Sequence, residues 1–180
     1  MRRFIAAAAL AAVLAGCNPN VESTATPTPS PSPTPLGVAL KISGHGTAKR
    51  PVRIVQSYAK GNRKEYEILA RSYEEGGPQG SYVATFKDVH VIFHGKDGST
   101  LTADAPAAVL DQSKDTVKMT GGVKATNSSG TTLTCDQLLY DHASQMLYGT
   151  GHVVIVNKQG FRATGNKVRS NIALTRATMQ

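Results

Sequence analysis

The sequence has no tryptophan, only two cysteines and few aromatic residues, which make up 6% of its 180 positions. One cysteine, Cys17, lies in the leader described below, so Cys135 has no partner in the folded part and an intrachain disulfide is excluded. Cys135 lies in an alternating segment, which predicts a buried apolar role. After Gly37 no stretch keeps an apolar period of 3.6 residues, which excludes a helical fold.

Acidic residues are absent from residues 38–64 and 152–180, which hold seven and five Lys or Arg residues respectively. Basic segments of this kind fit contact with anionic lipid headgroups or phosphates. The alternative is that the charges keep edge strands from unwanted pairing. No basic–aromatic alternation accompanies the charge, which argues against nucleic acid as a partner.

The first sixteen residues have the features of an export signal. Two arginines precede an apolar run of 13 residues from Phe4 to Gly16, whereas a bilayer span needs about 20, so a transmembrane anchor is the weaker interpretation. Leu14-Ala15-Gly16-Cys17 resembles a bacterial lipobox and predicts cleavage before Cys17, which would then carry acyl chains. The alternative is an ordinary signal peptide with an incidental cysteine.

A linker follows, in which proline alternates with Thr or Ser from Pro27 to Pro35. Such a segment buries almost nothing and is predicted to be an extended, solvated tether. We therefore divide the chain into a lipoprotein signal peptide at 1–16, a lipidated cysteine and linker at 17–37, and one folded domain at 38–180. The predicted location is the periplasm, with a lipid anchor in the inner or the outer membrane.

Apolar residues at every second position predict half-buried β-strands throughout the domain. These segments are Val89-x-Val91-x-Phe93, Leu101-x-Ala103, Val117-x-Met119, Leu133-x-Cys135, Leu138-x-Tyr140, Val153-x-Ile155 and Phe161-x-Ala163. The turn signals between them are Lys96-Asp97-Gly98, Gly121-Gly122, Asn127-Ser128-Ser129-Gly130, Asp141-His142 and Lys158-Gln159-Gly160. The prediction is an all-β domain.

Part of this pattern occurs more than once. Gly98, Leu101, Thr102 and Asp104 recur at an offset of 32 as Gly130, Leu133, Thr134 and Asp136, and a further copy begins at Gly160. The unit is a long strand, a turn and a return strand. Because each unit exposes an apolar face, the units must stack or fold over to bury it.

Three segments carry a family resemblance. They are "EYEILARSY" at 65–73, "FKDVHVIFHGKDGSTLTADAPAAVLDQSKDTVKMTGGV" at 86–123 and "GTTLTCDQLLYDHASQMLYGTGHVVI" at 130–155. Together with the N-terminal anchor they resemble the periplasmic LptC family, which shares its fold with LptA/OstA-like domains. The chain departs from the family in having a lipobox where a transmembrane helix is common, and Tyr66 where tryptophan is common.

The resemblance implies a twisted β-jellyroll of antiparallel hairpins, open along one side like a folded taco. It also implies lipopolysaccharide or a related lipid as the ligand, with its acyl chains inside the jellyroll. The implied partners are other Lpt-type jellyroll proteins, joined by edge-strand pairing, and an inner-membrane ABC transporter. We place the edge for the downstream partner near Ile172-Ala173-Leu174.

Small residues among the inward positions leave room for a groove, although they would equally let two sheets approach closely. Strand parity assigns the lining of such a groove. The predicted lining residues are Val91, Leu101, Met119, Leu133, Cys135, Tyr140, Ile155 and Phe161.

The sequence gives little support for a catalytic or metal-binding site. His90 and His94 share a strand face but lie about 13 Å apart in an extended strand, too far for a common metal. Asp104 and Asp136 recur with the strand motif and are interpreted as pleat or turn residues. We therefore predict a protein that is not an enzyme and needs no cofactor.

Two functions of different class remain. The first is lipid transfer in lipopolysaccharide export, with acyl chains held in an apolar groove. The second is a structural β-repeat lipoprotein without a ligand, which would have a filled core. A β-helical carbohydrate-active enzyme is a weaker third hypothesis. Such an enzyme would need several carboxylates on one face, and the sequence offers no such cluster.

Overall fold

The computed structural model describes residues 40–59, 63–77 and 81–180. The predicted signal peptide, Cys17 and the linker lie outside the described residues. Within them all regular structure is β, and no segment forms an apolar helix of membrane-spanning length. The ten strands are β1 Leu40–His45, β2 Val52–Ser57, β3 Lys64–Gly77, β4 Val83–His94, β5 Thr100–Asp111, β6 Thr116–Asn127, β7 Thr132–Asp141, β8 Met146–Val156, β9 Arg162–Asn171 and β10 Ala177–Met179.

All ten strands belong to one antiparallel, unclosed sheet with the order β1-β3-β4-β5-β6-β7-β8-β9-β10. β2 also pairs with β3, beside β1. The two strands follow successive halves of β3, because β1 pairs with Ser72–Gly77 and β2 pairs with Lys64–Ala70. The N-terminal edge of the sheet is therefore one strand interrupted at residues 46–51.

The sequence repeats are confirmed as hairpins of this sheet: β5–β6 and β7–β8 correspond to the two full copies, and β9–β10 to the last. The recurring glycine that opens each unit has a structural reason. Gly98, Gly130 and Gly160 have φ values of +84°, +81° and +85°, a region that glycine adopts without steric cost. Each ends the tight turn that leads into the next strand.

A row of β-bulges crosses the middle of the sheet. Register shifts occur between Asp104 and Ala107 in β5, Thr120 and Val123 in β6, Thr134 and Gln137 in β7, and Thr150 and Val153 in β8. Bulges bend strands and increase their twist. Because these shifts lie at the same level in neighbouring strands, the sheet bends along one line.

The prediction that Gly121-Gly122 separates two strands is wrong. Both glycines lie inside β6, at the bulge, with φ values of +93° and +91°. Glycine supplies positive φ both in turns and in β-bulges, so a Gly-Gly pair in the sequence does not show which of these two structures forms.

The bend folds the two halves of the sheet onto each other. The extra residue of a bulge changes which alternate positions face inward. In β5 the buried residues are therefore the odd-numbered Leu101, Ala103 and Ala105 up to the bulge and the even-numbered Ala108 and Leu110 beyond it. Aromatic rings from strands that are not neighbours in the sheet then meet. Phe93 of β4 lies 4.8 Å from Tyr140 of β7, and Tyr66 of β3 lies 6.2 Å from the same ring, measured between centroids.

The C-terminal edge differs from the prediction. Ile172 and Leu174, expected at the edge, are 4% and 7% exposed and lie in the turn that follows β9. Their apolar side chains join the core, which removes them from the edge. The edge strand is β10, which pairs only with Val168–Ser170 of β9. Within the described part of the chain, no strand pairs with the outer edge of Arg162–Gly165.

The bend generates a prediction about Gly122. A Cβ at this position would meet no atom within 4 Å, so a side chain costs only the strain of φ +91°. Gly122→Ala should therefore lower the free energy of unfolding by about 1–2 kcal/mol, measured by urea unfolding followed by circular dichroism. Lys124→Ala, an exposed change in the same strand, is the control and should stay within about 0.5 kcal/mol of the parent. Equal losses in both variants would contradict the role assigned to the bulge.

Candidate functional site

The interior of the folded sheet contains seven of the eight side chains predicted to line a groove. Val91, Leu101, Met119, Leu133 and Tyr140 are 0% exposed, and Cys135 and Ile155 are 5% and 6% exposed. They come from five strands, β4 to β8, and belong to one hydrophobic cluster. The structure thus brings these predicted residues together between the two halves of the sheet.

Phe161 is the exception, because its side chain is 62% exposed. It precedes β9, in a turn where Asn157 Oδ1 accepts its backbone N–H at 2.9 Å. Phe161 shares the parity of Ala163 and Gly165, which are half-buried. The Phe161 side chain therefore points in the predicted direction. The residue lies at the open end of the sheet, however, where no described residue covers it.

Small residues allow the two halves to pack closely. Ala103, Ala108 and Ala125 are fully buried. A crevice beside Ile54, Tyr73 and Phe86 holds about 70 Å³, less than the roughly 150 Å³ that admits a benzene molecule. An acyl chain would therefore enter this crevice only after the halves moved apart.

A buried carboxylate joins the two halves. Glu65 is the extra residue of a bulge in β3, between the pairs Gln56–Tyr66 and Ser57–Lys64, and a bulge re-aims a side chain. Its side chain is fully buried. Oε1 accepts a hydrogen bond from Tyr140 Oη at 2.7 Å and lies 2.5 Å from His142 Nδ1, whereas buried Oε2 has no partner among the described protein atoms. The contact links β3 to β7, strands with three others between them in the sheet.

Two tyrosines near Glu65 are held in the neutral form. Burial raises the pKa of Tyr140, and its hydrogen bond to Glu65 raises that pKa further. Burial, reinforced by the Glu65 charge, raises the pKa of Tyr66 to about 12. Tyr140 therefore keeps its hydroxyl proton, which it donates to Glu65, throughout the physiological range.

Cys135 is buried, as predicted, and its thiol is free. Burial raises the pKa of its thiol to about 11. Because the thiolate is the nucleophilic form, this thiol is unreactive at neutral pH.

On the outer side of the same sheet, Glu67 connects three strands. Its carboxylate contacts Arg53 of β2, Lys64 Nζ of β3 at 2.9 Å and His94 Nε2 of β4 at 3.2 Å. Hydrogen bonds from Arg53 and then Lys64 lower the pKa of Glu67 to about 2. Sequence reasoning missed both Glu65 and Glu67, because all their partners except Lys64 are distant in the sequence.

The predicted pleat residues Asp104 and Asp136 sit beside the bend and pair with histidines across the sheet. His90 Nδ1 lies 2.7 Å from Asp104 Oδ1, and His152 Nδ1 lies 2.8 Å from Asp136 Oδ2. His90 and His94 thus contact different carboxylates. Among the described residues no group of three or more His, Cys, Asp or Glu could hold a metal ion.

A family model described as lipopolysaccharide-assembly, LptC-related, matches residues 55–180, which include β3 to β10 and the second half of β2. The chain belongs to this family. Membership assigns the protein to lipopolysaccharide transport in the periplasmic envelope, in the company of Lpt partner proteins. Members of this family are components of a transport system, and the family is not a known enzyme family. A comparison with curated proteins gives no match.

The contacts of Glu67 generate a pH prediction. A lowered carboxyl pKa contributes stability above its unfolded value, here 4.5, and this contribution is lost as the pH falls toward about 2. Glu67→Gln should lower the free energy of unfolding at pH 7 by about 1–2 kcal/mol, less than the full shift implies because Arg53 and Lys64 are about half exposed.

The difference between parent and Glu67→Gln should shrink between pH 4.5 and about 2. Urea unfolding at several pH values measures it, and Glu75→Gln, the same change on the same strand, is the control. A loss that stays constant across this range would show that the Glu67 charge is not its source.

Proposed function

We propose that the protein is a membrane-anchored lipid-transfer component of lipopolysaccharide export. It binds acyl chains between the two halves of the folded sheet and passes them to a partner jellyroll. The observation that supports this most directly is the continuous apolar interior, built by inward side chains from β4 to β8, inside a sheet that is not closed. Family membership supports the transport context.

Binding in this interior is driven by the hydrophobic effect, which contributes about 0.8 kcal/mol for each methylene removed from water. The halves are packed together in the present conformation, so lipid entry requires them to separate. Contacts such as Tyr140 with Glu65 and Asn127 Nδ2 with the Ala173 carbonyl, at 2.7 and 2.6 Å, then give way to contacts with the lipid.

Transfer to the next protein takes place at the C-terminal end. Phe161 presents a large apolar side chain at the surface there, and the outer edge of Arg162–Gly165 has no strand paired with it among the described residues. An edge with unpaired backbone groups accepts a strand from another chain. A partner jellyroll added at this edge would continue the interior of this one.

The anchor is Cys17, lipidated after cleavage of the signal peptide. With linker residues in polyproline II at about 3.1 Å each, a segment of about twenty residues gives the domain a reach of about 60 Å. This reach allows the domain to meet partners at a distance from the membrane that holds it.

A structural β-repeat lipoprotein is the alternative, and the close packing of the interior favours it. The crevice of about 70 Å³ and the fully buried alanines Ala103, Ala108 and Ala125 are what a core without a ligand requires. The two functions differ in whether the halves of the sheet separate to admit lipid.

Site-specific crosslinking distinguishes the two functions. A diazirine analogue of leucine at Leu133 or Met119 should form adducts with lipopolysaccharide, because both side chains face the interior. The same analogue at Thr134 or Lys118, their neighbours in β7 and β6, should not. Circular dichroism checks that each variant keeps its β-structure. Equal adduct yields at inward and outward positions would favour the structural protein.

The anchor is tested by Cys17→Ser. Loss of the only residue of the lipobox that accepts lipid should leave the precursor uncleaved or release the mature protein from membranes. Fractionation and intact-mass measurement of the parent and the variant show which occurs. A variant that matures normally and stays in the membrane fraction would contradict the lipobox interpretation.

A further inference from the structure

A cavity of about 630 Å³ opens where residues that follow β2 meet the turn between β7 and β8. Its lining includes Tyr58, Arg63, Lys96, His142 and Gln145, and no acidic side chain. This volume lies within the range of sites that bind small molecules, roughly 300–1,000 Å³.

Tyr58 forms a fixed platform in this cavity. Its hydroxyl donates to the His94 carbonyl at 2.6 Å, and its backbone N–H donates to the Arg63 carbonyl at 3.0 Å. The Arg63 guanidinium carbon and Lys96 Nζ lie 5.8 and 5.5 Å from the centre of the Tyr58 ring. Arg63 Nη2 also donates to the Lys96 carbonyl at 2.9 Å. Two cations are thus positioned around one ring before any ligand arrives.

The charge of these cations is not balanced by an ion pair. Within the described part of the chain neither Arg63 nor Lys96 has a carboxylate partner. The two carboxylates whose charge reaches Tyr58 have other contacts. Asp97 Oδ1 accepts from Ser99 N and Oγ at 3.0 and 2.6 Å, and Glu65 Oε1 contacts Tyr140 and His142.

His142 connects this cavity to the interior. Its Nδ1 faces Glu65, and its side chain is 34% exposed. Tyr140, the other partner of Glu65, packs against Phe93 in the core. A ligand with its anionic group at the two cations would therefore have its apolar part beside the seam between the two halves.

We propose that Tyr58, Arg63, Lys96 and His142 form a binding site for a phosphate group, the headgroup anion of an amphiphile whose chains enter the adjacent seam. A guanidinium fork and an ammonium group are the donors that phosphate oxygens prefer. Identifying the phosphate as that of a lipid rests on the proposed function, whereas the anion site itself does not. The same chemistry would accept free inorganic phosphate.

The test uses the mature full chain in micelles of an uncharged alkyl maltoside, which carry no phosphate, and follows backbone amide shifts by NMR. The probes are inorganic phosphate, dihexanoyl phosphatidic acid and uncharged dihexanoylglycerol. We expect saturable shifts at Tyr58, Lys96 and Gln145 with the phosphate-bearing probes. Stronger binding of phosphatidic acid would identify a lipid headgroup, and equal binding of both phosphates would identify free phosphate as a sufficient ligand.

The matched variants are Arg63→Gln with Lys96→Gln, and, as control, Lys118→Gln with Lys124→Gln on the outer face of β6. The first pair should weaken phosphate binding at least about tenfold, and the control pair should leave it within about twofold. Unchanged binding in the first pair, or equal shifts with dihexanoylglycerol, would overturn the site.

Lipid crosslinking at Leu133 in the same variants separates the two proposals. Crosslinking in the parent with unchanged phosphate binding in Arg63→Gln/Lys96→Gln would remove the anion site and keep lipid transfer. Loss of phosphate binding in that variant, without crosslinking in the parent, would keep the anion site and remove lipid transfer.

Discussion

The fold depends on a backbone that changes register at the same level in successive strands. Without the bulges in β5 to β8, strands of ten or more residues would form an extended twisted sheet with one apolar face in water. The bulges turn that face onto itself, so a single sheet supplies both layers of its own core. Glycine at positions such as Gly122 allows the bend because its φ of +91° strains any other residue.

Once the halves face each other, few polar groups cross between them. Glu65 is the most buried of these, and it is tied to Tyr140 from a strand that β-pairing alone would never bring near. A buried carboxylate is costly unless it is hydrogen-bonded, and Glu65 Oε2 has no hydrogen-bond partner among the described residues. Glu65 therefore links parts of the sheet that the strand ladder does not join, and the cost of burying its carboxylate offsets much of what these contacts contribute to stability. The phosphate site proposed beside it uses the same seam from the solvent side.

Alternation in the sequence was sufficient to predict strands β4 to β9, the hairpin repeat and the inward direction of residues such as Leu133 and Met119, because apolar residues at every second position mark the buried face of a strand. It failed where the outcome depended on distant parts of the chain. Gly121-Gly122 has the composition of a turn and lies in a bulge. Phe161 has the right parity but lies where no described residue covers it. Glu65 gave no signal, because its partners follow 75 and 77 residues later.

The two layers of the folded sheet are not joined to each other by backbone hydrogen bonds among the described residues. The ladder hydrogen bonds instead join neighbouring strands within the one continuous sheet. A hinge motion about the row of bulges would leave amide protons protected from exchange. Cohesion of the two layers would then reside in side chains alone. Substitutions at their contact surface can therefore alter how readily the layers part while leaving the secondary structure intact.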